Sequence, residues 1–141
     1  MTAKEYLEQV GKLEYKINAM KLRSDYYEQM SHSIPGQDFT RERVQTTPNY
    51  EAPFVKWLIK KDEIDREIKR KEEKLANLKA EILLQIESWD NEDYKNVIVM
   101  RYLKRWGWSK VAKQCFCSIA SIYRWHDAAL ELIVVPSKND S

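Results

Sequence analysis

An all-α fold is what this sequence predicts, and three observations predict it. Glycine and proline are scarce, three and four in 141 residues, and strands joined by tight turns depend on both. Apolar residues make up 43% of the chain and charged residues 33%, which suits long solvated helices better than a disordered chain. Apolar positions recur every three or four residues over two long stretches. The expected architecture is a long helical hairpin or coiled coil over 1–88 with a loop at about 32–52. A helix-turn-helix domain over 89–135 and a polar tail over 136–141 complete it.

Residues 3–31 read as the first helix. Tyr6, Val10, Leu13, Ile17, Met20 and Tyr27 form one apolar stripe, with one weak step at Ser24. Gly11 inside it costs about 1 kcal/mol. Ser31 to Gly36 stops the pattern, and Thr46 to Asn49 marks a second break. The segment between reads as a long surface loop, and Arg41 and Arg43 in it are candidates for contact with a partner.

Residues 54–87 carry the strongest helical pattern. Trp57, Ile64, Ile68, Leu75, Leu78, Ile82 and Ile86 follow near-heptad spacing, interrupted at Lys61 and Lys71. Asp62–Arg66, Asp65–Lys69 and Glu67–Lys71 place acid before base at i,i+4. A helix of this length spans about 50 Å and does not bury its stripe alone. Either the first helix returns along it or a second copy supplies the partner.

Asp90 and Asn91 offer an N-cap to a helix over 92–105 that Gly107 ends. Ser109 caps a short helix to about Cys115, and Ser118 caps a last one to about Val134, stopped by Pro136. Two short helices joined by a tight turn bury a shared wedge. Val111, Cys115, Cys117, Ile122 and Trp125 stand where that wedge needs them, and Ala112 where the helices approach closely. Ala128, Leu130, Leu132 and Ile133 continue the apolar pattern. Phe116 departs from it: the turn favours φ > 0 and usually takes glycine, so phenylalanine would cost roughly 1–3 kcal/mol there.

Net charge is only +2, so the distribution matters more than the total. Arg101, Lys104, Arg105, Lys110, Lys113 and Arg124 lie in a window without Asp or Glu, interleaved with Trp106, Trp108 and Tyr123. That pattern points to a phosphate-facing surface. With the last helix in a DNA major groove, Ile119, Ala120, Ser121, Tyr123 and Arg124 would face base edges. Arg105, Ser109, Lys110, Lys113 and Ser118 would hold phosphates.

Residues 90–133 resemble the C-terminal region 4 domain of sigma factors. The resemblance rests on Asp93 to Leu103, Trp108 to Ala112, Ser118 to His126 and Ala128 to Leu130. The whole chain is similar to small phage and prophage late transcription regulators of the RinA/ArpU type. Thr2 to Leu7 and the Glu42 to Gln45 segment carry that likeness at the N-terminal end. The resemblance implies transcription activation of phage genes, with this domain touching promoter DNA; the expectation is a transcriptional regulator that binds double-stranded DNA and contacts RNA polymerase, with the long helices supplying polymerase contact or a homodimer. A packaging component of the terminase small subunit kind and a helical adaptor that does not bind DNA are the alternatives.

No catalytic constellation stands out, and the chain is expected not to be an enzyme. His126 and Asp127 are adjacent on one helix and do not face each other. His126 is expected to pack or to meet a phosphate. Glu72-Glu73 and Asp62-Glu63 read as solvated faces, and three scattered glycines build no phosphate loop. No cofactor and no metal are expected, because Cys115 and Cys117 lack enough partners for a zinc site. Both cysteines read as reduced core residues. No signal peptide and no apolar run of about 20 residues are present, so the expected location is the cytosol, with no membrane partner.

Overall fold

The computed structural model describes residues 1–32 and 53–136. Arg41, Arg43, the Glu42 to Gln45 segment and the tail beyond Pro136 lie outside the described residues. Every regular element among those described is helical, in keeping with the expected fold class. The elements are α1 (Ala3–His32), α2 (Pro53–Glu87), α3 (Glu92–Ile98), α4 (Trp108–Gln114) and α5 (Ile119–Leu132). Five residues of π-helix, Val99–Leu103, extend α3.

The chain divides into two compact units. One joins Met1–Glu14 to the chain from Lys74 onward, and the other is Tyr15–Glu73. The second unit holds the C-terminal part of α1 and the N-terminal part of α2. Ile17, Ile64 and Ile68 are buried in it. Lys21 pairs with Glu72 at 2.9 Å, Ser24 donates to Asp65 at 2.6 Å, and Tyr27 stacks on Trp57 at 5.7 Å. Rising numbers on one helix meet falling numbers on the other, so within this unit the two segments run antiparallel in a single chain. Of the expected i,i+4 pairs, Asp62–Arg66 closes at 2.7 Å and Glu67–Lys71 at 3.6 Å. Asp65 faces backwards to Lys61 at 3.1 Å rather than forwards to Lys69, and its other oxygen accepts from Ser24.

The first unit has two cores. In the larger, Tyr6, Leu7 and Val10 of α1 meet Ile82 and Ile86 of α2, Ile98 of α3, Tyr102, and Ala129 and Ile133 at the α5 end. In the smaller, Val97, Val111, Ala112 and Ile122 are buried, with Met100, Trp106, Trp108, Cys115, Cys117 and Trp125 packed on them. This is the wedge that the spacing predicts. Along α5 the buried residues are Ile122, His126 and Ala129, while Leu132 is exposed. Leu132, which continues the apolar pattern in the sequence and was expected to pack, is 45% exposed and stays outside the core.

Helix ends differ from expectation at two points. Asn91 caps α3 by accepting from the Tyr94 N–H at 3.2 Å, and Ser118 caps α5 by accepting from Ser121 at 3.1 Å. Ser109, expected as a cap, lies inside α4, whose N-cap is Gly107 in an extended conformation. Gly107 therefore starts α4 and does not end the preceding helix. That helix ends earlier, where Arg105 takes a left-handed φ of 60° and Trp106 N–H donates to Met100 O at 2.9 Å.

Candidate functional site

The acid-free window folds into one end of the first unit, and the turn between α4 and α5 sets its shape. Cys117 N–H donates to Ala112 O at 3.1 Å and Phe116 N–H donates to Lys113 O at 3.2 Å. These are the two bonds of a Schellman closure, which puts its C′ residue in the left-handed region. That residue is Phe116, at φ 56°. The geometry that favours glycine therefore holds with phenylalanine in it. Cys117, next in sequence, packs into the smaller core and fixes the turn from below.

The cations are not equivalent. Arg101 is half-buried, lies 4.2 Å over the Trp108 ring and donates to Trp106 O at 3.1 Å. Arg105 reaches back to Glu14 at 3.3 Å and covers Gly11, where an added Cβ would lie 3.0 Å from its Nε. Arg105, expected among the phosphate-holding residues, is exposed and paired with Glu14. Lys110 lies over the Trp106 ring at 4.2 Å with its ammonium exposed. Lys104, Lys113 and Arg124 are exposed and meet no carboxylate among the described residues. Arg124 donates to Ser121 Oγ at 3.2 Å. Ser118 spends its hydroxyl on the cap of α5, while Ser109 stays exposed.

Ile119 and Tyr123 are 38% and 46% exposed, and Ala120 is exposed beside them. Tyr123 leans edge-on against Trp108 at 5.2 Å. Phe116 is 94% exposed, so its ring makes almost no contact with the fold. The structure thus brings Phe116, Ile119, Tyr123, Lys113 and Arg124 to the α4–α5 end. Phe116 was read only as a misfit in the turn, although its place among cations and aromatics was visible in the sequence.

His126 is buried and packs. Its Nε2 lies 2.6 Å from the Tyr102 hydroxyl, and the Trp108 ring meets it edge-on at 4.8 Å. Burial holds its pKa below the ordinary histidine value. Burial also pushes the Tyr102 phenol up to about 12. Burial raises the Cys115 thiol likewise, which makes it a poor nucleophile; both cysteines are free.

In the second unit, Lys21, Ser24, Asp25, Lys61, Asp65 and Glu72 help line an open depression of about 520 Å³. Ser24 Oγ is 2.9 Å from Lys61 Nζ, a spacing that could serve a serine nucleophile with a lysine base. The charges argue otherwise. The Asp65 hydrogen bond raises the Lys61 pKa, and the Ser24 hydrogen bond lowers that of Asp65. A protonated lysine and a stabilised carboxylate are both weak bases, so the cluster is an inter-helix clasp. Among the described residues no group of three or more His, Cys, Asp or Glu could hold a metal, and no helix is long and apolar enough to cross a membrane.

The family model for tRNA synthetases class I (E and Q), catalytic domain, matches residues 18–135. No curated protein and no solved structure is significantly similar to the chain. The family match overturns the resemblance to sigma region 4 and to RinA/ArpU-type regulators. It also overturns the reading of the chain as a DNA-binding phage transcriptional regulator, with its packaging and adaptor alternatives, and the expectation that it is not an enzyme. The reason the spacing misled is physical. Any two short helices joined by a tight turn need the same apolar wedge, small residue and cap, so that pattern reports a local geometry and not a family. With the match covering most of its length, the chain belongs to the family of tRNA synthetases class I (E and Q), catalytic domain.

Proposed function

We propose that this chain takes part in joining glutamate or glutamine to tRNA, and that the α4–α5 end of its first unit holds the RNA. The reading rests on the family match, and the observation that carries it to this surface is the acid-free cluster of exposed Lys110, Lys113 and Arg124 beside Tyr123. An exposed cation without a carboxylate neighbour is available to a phosphate. Tyr123 and Ile119 give the same face an apolar floor, which suits RNA whose bases are partly unpaired. A cytosolic location suits the two free thiols, which persist in a reducing compartment.

The test is binding of a total tRNA pool across a salt series, with a charging assay using labelled glutamate and glutamine alongside. Affinity is expected to fall steeply with salt, and Lys113→Ala to reduce the logarithmic slope by about one phosphate contact. Binding that ignores salt, or that survives Lys113→Ala and Arg124→Ala together, would remove this face from the reading. Absence of both binding and charging would remove the reading itself.

A further inference from the structure

Phe116 is the residue that the fold least needs. Its backbone sits at φ 56°, where a glycine would relieve strain, and its ring is 94% exposed. The Schellman closure asks only for a left-handed residue, and the core contact at this turn comes from Cys117. A large apolar ring held out into water at a strained position is costly in two ways and repays neither within the chain. An outlier of this kind points to a contact outside the fold.

The surroundings say what kind of contact. The Phe116 amide bonds to the Lys113 carbonyl, so the ring emerges one helical turn from that lysine. Exposed Ile119 begins the next helix. Arg124 and half-exposed Tyr123 lie on α5, and the whole window from Arg101 to Arg124 lacks an acidic residue. A flat ring flanked by cations is complementary to a nucleobase flanked by phosphates. In a duplex the base faces are already stacked, so the ring can stack only on an unpaired base.

We infer that Phe116 is a stacking platform for an unpaired base of a single-stranded RNA segment, with Lys113 and Arg124 taking the adjoining phosphates. This deepens the tRNA reading, since it names the part of the RNA that the face would grip, but it can fail separately.

The experiment uses the full chain with a labelled single-stranded RNA of about 12 nucleotides, and the same sequence annealed to its complement. Phe116→Ala is expected to weaken single-strand binding roughly five- to hundredfold while leaving duplex binding unchanged. Phe116→Trp keeps a stacking face and is expected to retain tight binding. The salt slope stays the same in both variants, because no charge changes, whereas Lys113→Ala lowers it. Folding is not at risk, since a smaller residue loses no packing at this exposed position. Equal single-strand binding by wild type and Phe116→Ala overturns the inference and leaves the ring to a protein partner. Equal losses on single strand and duplex, or no single-strand binding by wild type, overturn it as well. Loss of tRNA binding with single-strand stacking intact would sink the tRNA reading alone.

Discussion

Single residues show how environment decides what a side chain is for. His126 and Asp127 are neighbours in sequence and were expected not to face each other, yet Nδ1 and Oδ1 stand 3.7 Å apart, with Asp127 in solvent. What no spacing revealed is the Tyr102 hydroxyl 24 positions upstream, 2.6 Å from the ring. Burial among Tyr102 and Trp108, with Lys4 and Arg101 adding positive potential, keeps the folded pKa below 6.5, and Asp127 only partly opposes that. The unfolded chain therefore takes up a proton as pH falls through 6.5 while the native state does not. Stability is complete above that pH and is lost as pH falls from 6.5 towards the folded pKa. Urea midpoints measured from pH 7.5 to 5 should decline, and His126→Gln, which does not titrate and keeps a hydrogen-bonding group near Tyr102, should flatten the decline. A wild-type curve without slope in that window would mean the ring is not held neutral. Phe116 teaches the converse: its cost was legible from the turn pattern, while its exposure came only from the fold.

At the scale of elements, helix positions were legible to within a few residues because 3.6-residue periodicity is a local property. Their ends were less so. Thr2 and Glu5 form a reciprocal capping box, Thr2 N–H to Glu5 Oε1 at 2.8 Å and Glu5 N–H to Thr2 Oγ1 at 3.1 Å, and that signal stood in the sequence unused. Ser109 offered a cap that the chain did not take, since Gly107 starts α4 two residues earlier. Two of the three flaws in the long stripes, Ser24 in α1 and Lys61 in α2, proved to be partners. Each looked like a weak point in its own helix, and together with Asp65 they close a polar clasp in the second unit. Periodicity within one helix does not show this, because it depends on the register between two. Ser24 is buried and hydrogen-bonds both members of the Lys61–Asp65 pair, so Ser24→Ala, which leaves that pair in place, should lower stability by about 1 kcal/mol. Urea denaturation followed by helical circular dichroism checks it. An unchanged midpoint would show that water replaces the hydroxyl at no cost.

For the molecule as a whole, an apolar stripe tells which face is buried and is silent about what covers it. Tyr6 and Val10 were read as one stripe on α1, and Leu7 beside them was not, yet Leu7 is completely buried. The reason lies in the first unit's composition. The first turns of α1 share a core with the end of α2, with Ile98 and Tyr102, and with Ala129 and Ile133, so they are enclosed on more than one side. A residue off the stripe can then be as dry as one on it. Four stretches far apart in sequence stabilise one another here, and removing side-chain volume from any of them should be felt by the rest. Leu7→Ala leaves a cavity in a site without solvent access and should cost about 2–5 kcal/mol. Trp125 and Trp108 pack on the other core of this unit, and they are the probes to follow. If the unit unfolds cooperatively, their transition shifts to lower denaturant with Leu7→Ala although neither touches Leu7. If their midpoint stays put while overall helicity falls, the N-terminal turns fray alone, and the α4–α5 face stands without them. The first result would make the start of the chain a structural requirement for the proposed RNA-holding surface, and truncation of residues 1–10 would then abolish binding without removing any residue of the face itself.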